Sequence, residues 1–168
     1  EEISSAISKR FWDGTVRAIL VAIAAMAGVV FLYFRKLVPA VGIVISGISN
    51  IIGTFAIMSL LGISISASGI AAILMLLGYS IDSNIVLTAR ALKRKELSVK
   101  DRIYSAIKTG MTMSITSIVA LTVLYLASPA AILKTISLIL IIGLLRDLMF
   151  TWIQNAGILR IYLRSGGK

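Results

Sequence analysis

Neither cysteine nor histidine occurs anywhere in the 168 residues. The first absence excludes disulfides and thiolate metal sites. The second removes the commonest metal ligand and the side chain most used as a catalytic base. No P-loop or dinucleotide fingerprint interrupts the chain. With no residue set for covalent or metal-assisted catalysis, the expectation is a protein that is not an enzyme and takes no cofactor and no metal. Charge is scarce too, at 14% of residues, and proline occurs twice.

Apolar residues fill the chain instead, at 58% of the total, and the mean hydropathy is +1.00. Leu37 to Ile81 holds 45 residues without a charge, Thr109 to Leu133 holds 25 and Ala18 to Phe34 holds 17. About 20 apolar residues of helix cross a hydrocarbon core. A soluble helix needs a polar face, and these runs have almost none. The reading is all-α: a polytopic membrane helix bundle. A formal net charge of +10 would in a soluble protein point to nucleic acid. Here the basic residues gather in short segments between apolar runs, where they set orientation in the membrane, so no nucleic-acid partner is expected. The opening "EEISSAISKRFWDG" is too polar for a signal peptide and lacks an initiator Met, as in a piece of a longer protein.

Five spans are expected. The first runs from about Thr15 to Phe34, with Phe11 and Trp12 as interfacial anchors. "RKLVP" turns the chain, and Pro39 suits the first turn of a second helix, about Ala40 to Leu61. "GISISASG" leads to a third, about Ser66 to Arg90. "ALKRKELSVKDR" forms the one extended polar loop before a fourth, about Ile103 to Leu126. Pro129 in "ASPA" breaks it, and the fifth begins near Ile132 and continues to Gly157 or beyond. Residues 1–14 are thus expected as a linker ending an extracytoplasmic domain, 15–159 as the membrane domain and 160–168 as a cytoplasmic tail. On this map one side receives Arg35, Lys36, Arg90, Lys93, Arg94, Lys95, Lys100, Arg102, Arg160, Arg164 and Lys168. The other receives only Lys9, Arg10, Arg17 and Lys134. Eleven against four places the N-terminus outside and the C-terminus in the cytoplasm.

Asp82, Asp147 and Arg146 fall deep in these spans, and Lys108 falls nearer an end. At ~1.5 Å per residue, Asp82 is about 24 Å along from Ser66 and Asp147 about 20 Å from Lys134. An ionised group near the bilayer centre costs at least ~2.5–3.5 kcal/mol on insertion scales, so it pairs, meets water or stays neutral. Burial disfavours a carboxylate and a nearby cation favours it; an acid held between the two can load and release a proton. Asp82 is the foremost candidate and Asp147, beside Arg146, the next. The alternative for both is pairing that only fixes helix register. Lys108 can snorkel to the surface. Thr109, Thr112 and Thr116, with Ser105, make one hydroxyl face, suited to helix packing or to a hydrated proton path. On the second helix Gly42, Ser46, Ser49 and Gly53 permit close approach, and the neutral Asn50 can hydrogen-bond to an acid without competing for its proton.

With these residues in view, the chain resembles the SecF side of the SecD/SecF protein-export family. "GYSIDSNIVLTARALKR" is similar to that family's signature, with Gly78, Tyr79 and Ser80 leading to an acid, an apolar run and a basic loop. "ISSAISKRFWDGTVRAIL" resembles the segment entering the family's second membrane helix. "KTGMTMSITSIVALTVLYL" resembles its hydroxyl-rich fifth helix, and "LIIGLLRDLMFTWIQNAGILRIYL" its archaeal-type last helix. The resemblance implies helices two to six of six, half of a pseudo-symmetric transmembrane domain of the resistance-nodulation-division superfamily. It gives Asp82 the place of the fourth-helix acid, one position before the usual bacterial one, where this chain has Ser83. Asn50 stands where bacterial relatives carry Asp. Lys108 lies one position from the family's basic residue, with Thr109 in that residue's place.

The implied function is assistance to Sec-dependent protein translocation using the proton or sodium gradient. The implied partners are SecD, the Sec translocation channel, the translocating polypeptide and membrane lipids. Two other readings stand beside it: a helix-packing partner of SecD with no ion role of its own, and a proton-driven exporter of the same superfamily.

Overall fold

The computed structural model describes residues 2–93 and 98–164, with the side chains of 2–8, 93, 99, 155–156 and 162–164 left aside. Its elements are all helical. They are α1 (Glu2–Phe34), α2 (Leu37–Leu60), α3 (Ala67–Lys93), α4 (Val99–Ala127) and α5 (Ala131–Met149). A π-helical stretch (Phe150–Asn155) then leads into α6 (Ala156–Arg164). Among the described residues, five segments are long and apolar enough to cross a membrane: Lys9–Phe34, Leu37–Leu60, Ala67–Leu92, Lys100–Ala127 and Ala131–Ile161. The architecture is the five-span all-α bundle expected.

The differences lie at the ends. Helix α1 begins at Glu2 rather than near Thr15, because nothing between Ile3 and Asp13 breaks a helix and Gly14 is accommodated in it. Helix α4 begins four residues early, at Val99. Ser98 caps it, accepting the Asp101 N–H at 3.2 Å while its hydroxyl meets the Asp101 carboxylate at 2.6 Å. Residues 94–97 of the basic loop and 165–168 of the tail, with Arg94, Lys95 and Lys168, lie outside the described residues.

Turn chemistry sets the hairpins. Helix α2 ends in a left-handed Gly62 (φ 66°), with the Ile63 N–H returning to the Met58 carbonyl at 2.9 Å. Only two residues join α1 to α2, and Arg35 takes a positive φ of 52° to make the reversal. At the opposite end of α3, Arg90 donates to the Ser105 carbonyl and hydroxyl at 3.0 and 2.9 Å, tying α3 to α4.

Helices α2, α3 and α5 form the centre, whereas most of α1 and α4 faces outward. Ile43, Ile73, Leu76, Ile139, Leu140 and Leu144 are fully buried there, with Met26 and Val30 from α1. Two glycines allow this closeness. Leu76 of α3 lies over Gly143 of α5, and the Trp152 ring lies over Gly110 of α4.

Candidate functional site

Polar residues recur every fourth position on one face of each central helix. On α2 these are Ser46, Asn50 and Thr54; on α3, Ser80, Asn84 and Thr88; on α5 and the stretch after it, Asp147 and Thr151. All eight are buried, none more than 1% exposed. Four-residue spacing stacks side chains along one helix face, so three polar strips run into the shared interior of α2, α3 and α5.

They converge on Asp147. Its Oδ1 accepts from Asn50 Nδ2 at 3.3 Å, from Thr151 Oγ1 at 3.2 Å and from the Ser80 hydroxyl. Asn84 Nδ2 donates to the Ser80 carbonyl at 2.8 Å, holding the α3 strip in place. Thr54 bonds back to the Asn50 carbonyl at 2.8 Å. Counting from the first residue of each helix, Asn50 and Ser80 lie about 20 Å along and Asp147 about 24 Å, so the cluster sits near mid-span. Three donors on one oxygen leave the other bare: Asp147 Oδ2 is buried without a partner, as are Asn50 Oδ1 and Ser46 Oγ. Such an arrangement can hold a carboxyl neutral or ionised and can pass a proton or receive a cationic donor at Oδ2.

Arg146, the next residue, points elsewhere. Its guanidinium occupies the space a side chain at Gly53 would fill and lies 4.7 Å above the Phe150 ring centroid. No ion pair between Arg146 and Asp147 is formed among the described residues.

Asp82 stands on the opposite side of α3. It is exposed, as are Gly78 and, in part, Tyr79. Asp82 and Tyr79 border a small cleft of about 100 Å³ between α3 and α4, closed by Ser83, Met113, Ser114 and Ser117. Next to it a shallow groove runs along Lys108, Thr109, Thr112, Thr116 and Ser117. Lys108 and the Thr112 and Thr116 side chains are exposed. The three threonine hydroxyls turn back onto their own helix: Thr109 to the Ser105 carbonyl at 3.4 Å, Thr112 to Lys108 at 2.9 Å and Thr116 to Thr112 at 2.8 Å.

The sequence-derived candidates therefore separate into two groups. Asp147, Asn50 and Ser80 meet in the core. Asp82, Lys108 and the threonine face share an outer surface of α3 and α4. Asn50 meets Asp147, not Asp82. Ser80 enters the sequence reading only as part of the signature, not as a partner of Asp147; Asn84, Thr151 and Thr54 are not among the sequence candidates, though their four-residue spacing is there to be read.

A family model described as protein export membrane protein SecD/SecF, C-terminal, matches residues 1–165. The protein-export membrane protein SecF of Pyrococcus furiosus is 50% identical over 148 residues, covering 88% of this chain and 50% of that protein. SecF of Methanocaldococcus jannaschii is 43% identical over 166 residues, 96% of this chain and 59% of that one. The chain thus spans little more than half the length of the curated relatives it matches. Its fold is similar to the crystal structure of SecDF, a translocon-associated membrane protein from a species of Thermus. There the TM-score is 0.79 at 17% identity, over 93% of this chain and 22% of that one. The match across nearly every residue, on a five-span helix bundle, carries one conclusion: the chain belongs to the SecD/SecF family of protein-export membrane proteins.

Proposed function

We propose that this chain is the membrane domain of a SecF protein and assists protein export by coupling an ion gradient, the proton gradient foremost, to movement of its helices. The supporting observation is Asp147: a carboxyl buried where three helices meet, with one oxygen saturated by hydrogen bonds and the other unmet. Proton gain and loss there changes the charge at the junction of α2, α3 and α5. A charge change of that kind favours one packing over another, which is the differential stabilisation any coupling requires. Asn50, Ser80 and Thr151 act as the donors that grip the carboxyl.

The exposed surface of α3 and α4 supports a second role. Asp82 is an exposed acidic side chain inside a membrane-crossing segment and has no hydrogen-bond partner among the described residues. Hydrocarbon is a poor neighbour for it, so this face, with Lys108 and the threonine groove, is the side on which SecD packs. In this reading the N-terminus is outside, the C-terminus is cytoplasmic, and SecD and the Sec channel are partners.

The test is gradient-dependent export by membranes carrying the complete SecF with SecD. Asp147→Asn keeps shape and hydrogen bonds but cannot ionise, and is expected to reduce gradient-stimulated export at least tenfold (~1.4 kcal/mol of coupling) while SecD still co-purifies. Asp82→Leu is expected to weaken recovery of SecD. Full stimulation with Asp147→Asn would remove the coupling role.

A further inference from the structure

Two charged residues adjoin on α5, inside a membrane-crossing segment, and do not pair. Neighbours on a helix leave it about 100° apart, so Arg146 and Asp147 face different surroundings. Asp147 turns to the polar core. Arg146 turns to α2, where a Cβ built on Gly53 would lie 1.6 Å from its Cζ and within 1.9 Å of both Nη atoms. The missing side chain of Gly53 is therefore the seat of the guanidinium, and the Phe150 ring is its floor at 4.7 Å.

That seat supplies stacking but no acceptor. Arg146 Nε is buried without a partner, and two acceptors nearby, Asp147 Oδ2 and Asn50 Oδ1, are buried without donors. Asn50 precedes Gly53 by three residues on the same face of α2, so the orphan donor and the orphan acceptors lie within about one helical turn. No other charged side chain competes among the described residues. Helix α2 has no charge, Asp82 of α3 is exposed, and Lys108 of α4 and Arg17 of α1 are exposed too.

We propose that Arg146 is a movable counter-charge for Asp147, parked between Gly53 and Phe150 in the arrangement seen here and drawn onto Asp147 Oδ2 when that carboxyl is ionised. A neutral carboxyl needs no cation, and the guanidinium rests on the aromatic ring. An ionised one has a buried oxygen without a donor, and Arg146 Nε, on the next residue, is a buried donor without an acceptor. The swing pulls α5 and α2 into a different contact, because vacating Gly53 opens a notch in their interface. Arg146 is thus a positioning residue for the acid. The inference rests on the reading above that Asp147 changes its charge.

The experiment uses the complete protein with SecD in native membranes and dicyclohexylcarbodiimide, which reacts with protonated carboxyls in apolar surroundings. Labelling is assigned to Asp147 by peptide mass spectrometry. Gly53→Ala fills the seat and displaces the guanidinium toward the carboxyl, so labelling at Asp147 falls about tenfold. Arg146→Gln removes the counter-charge and raises labelling. Gly53→Ala added to Arg146→Gln has no further effect. Gly53→Ser blocks the seat equally and serves should Gly53→Ala fail to assemble. Unchanged labelling in both Gly53 variants overturns the proposal, as does an equal fall in the Arg146→Gln background or absence of labelling in the parent. If labelling follows the expected pattern while Asp147→Asn still exports at full rate, Arg146 pairing stands and the coupling role falls.

Discussion

A methyl group added at Gly143 would lie 2.3 to 2.9 Å from the Leu76 side chain, which is fully buried and has nowhere to go. Overpacking of this kind costs ~1–3 kcal/mol. Gly143→Ala is expected to lower the thermal midpoint of the detergent-solubilised protein. At Gly28 the added methyl meets nothing within 4 Å, and Gly28→Ala is expected to be neutral or to stabilise by ~0.5–1 kcal/mol through helix propensity. A rise for both would show that propensity, not the α3–α5 contact, governs these sites. At this scale the sequence announced which acids lay in the membrane but not which one was buried. Asp82 stands out in the sequence as one carboxylate in a long oily run, yet on a helix apolar all round no pattern of oily residues marks the inner face. The mark was polar: Ser80, Asn84 and Thr88 stand at four-residue spacing, and Asp82 is out of register with them. The same rule relates Asp147 to Thr151 and Asn50 to Thr54.

Helix α4 starts out of a polar loop, and its first turn is capped by Ser98, which accepts the Asp101 N–H. Loss of such a cap costs about 1 kcal/mol. Ser98→Ala is expected to speed amide exchange over the first turn of α4 and leave α2 unchanged; uniform protection would contradict it. The existence and number of spans were legible because long uncharged runs leave few alternatives. Their ends were less so: α1 continues back through a polar segment that simply contains no breaker. The π-helical stretch was invisible, since FTWIQN reads equally well as α-helix. It begins three residues after Asp147 and contains Thr151, one of the donors to the acid. π turns of this kind recur at functional sites.

Across the whole molecule the polar groups form two systems, a core strip centred on Asp147 and an outer face around Asp82. The bundle explains the division: α2, α3 and α5 close on the first, and α4 leaves the second open beside α3. The orientation argued from basic residues is directly testable, because the chain has no cysteine. Lys9→Cys is expected to react with an impermeant maleimide added outside intact cells, and Ser98→Cys only after the membrane is opened. The reverse pattern would invert the topology. The core system is the centre of the account, and infrared difference spectroscopy on oriented membranes of the complete complex addresses it most directly. Imposing a proton gradient should change one protonated-carboxyl band. That band should vanish in Asp147→Asn and persist in Asp82→Asn; a band lost with Asp82→Asn and kept in Asp147→Asn would contradict the account.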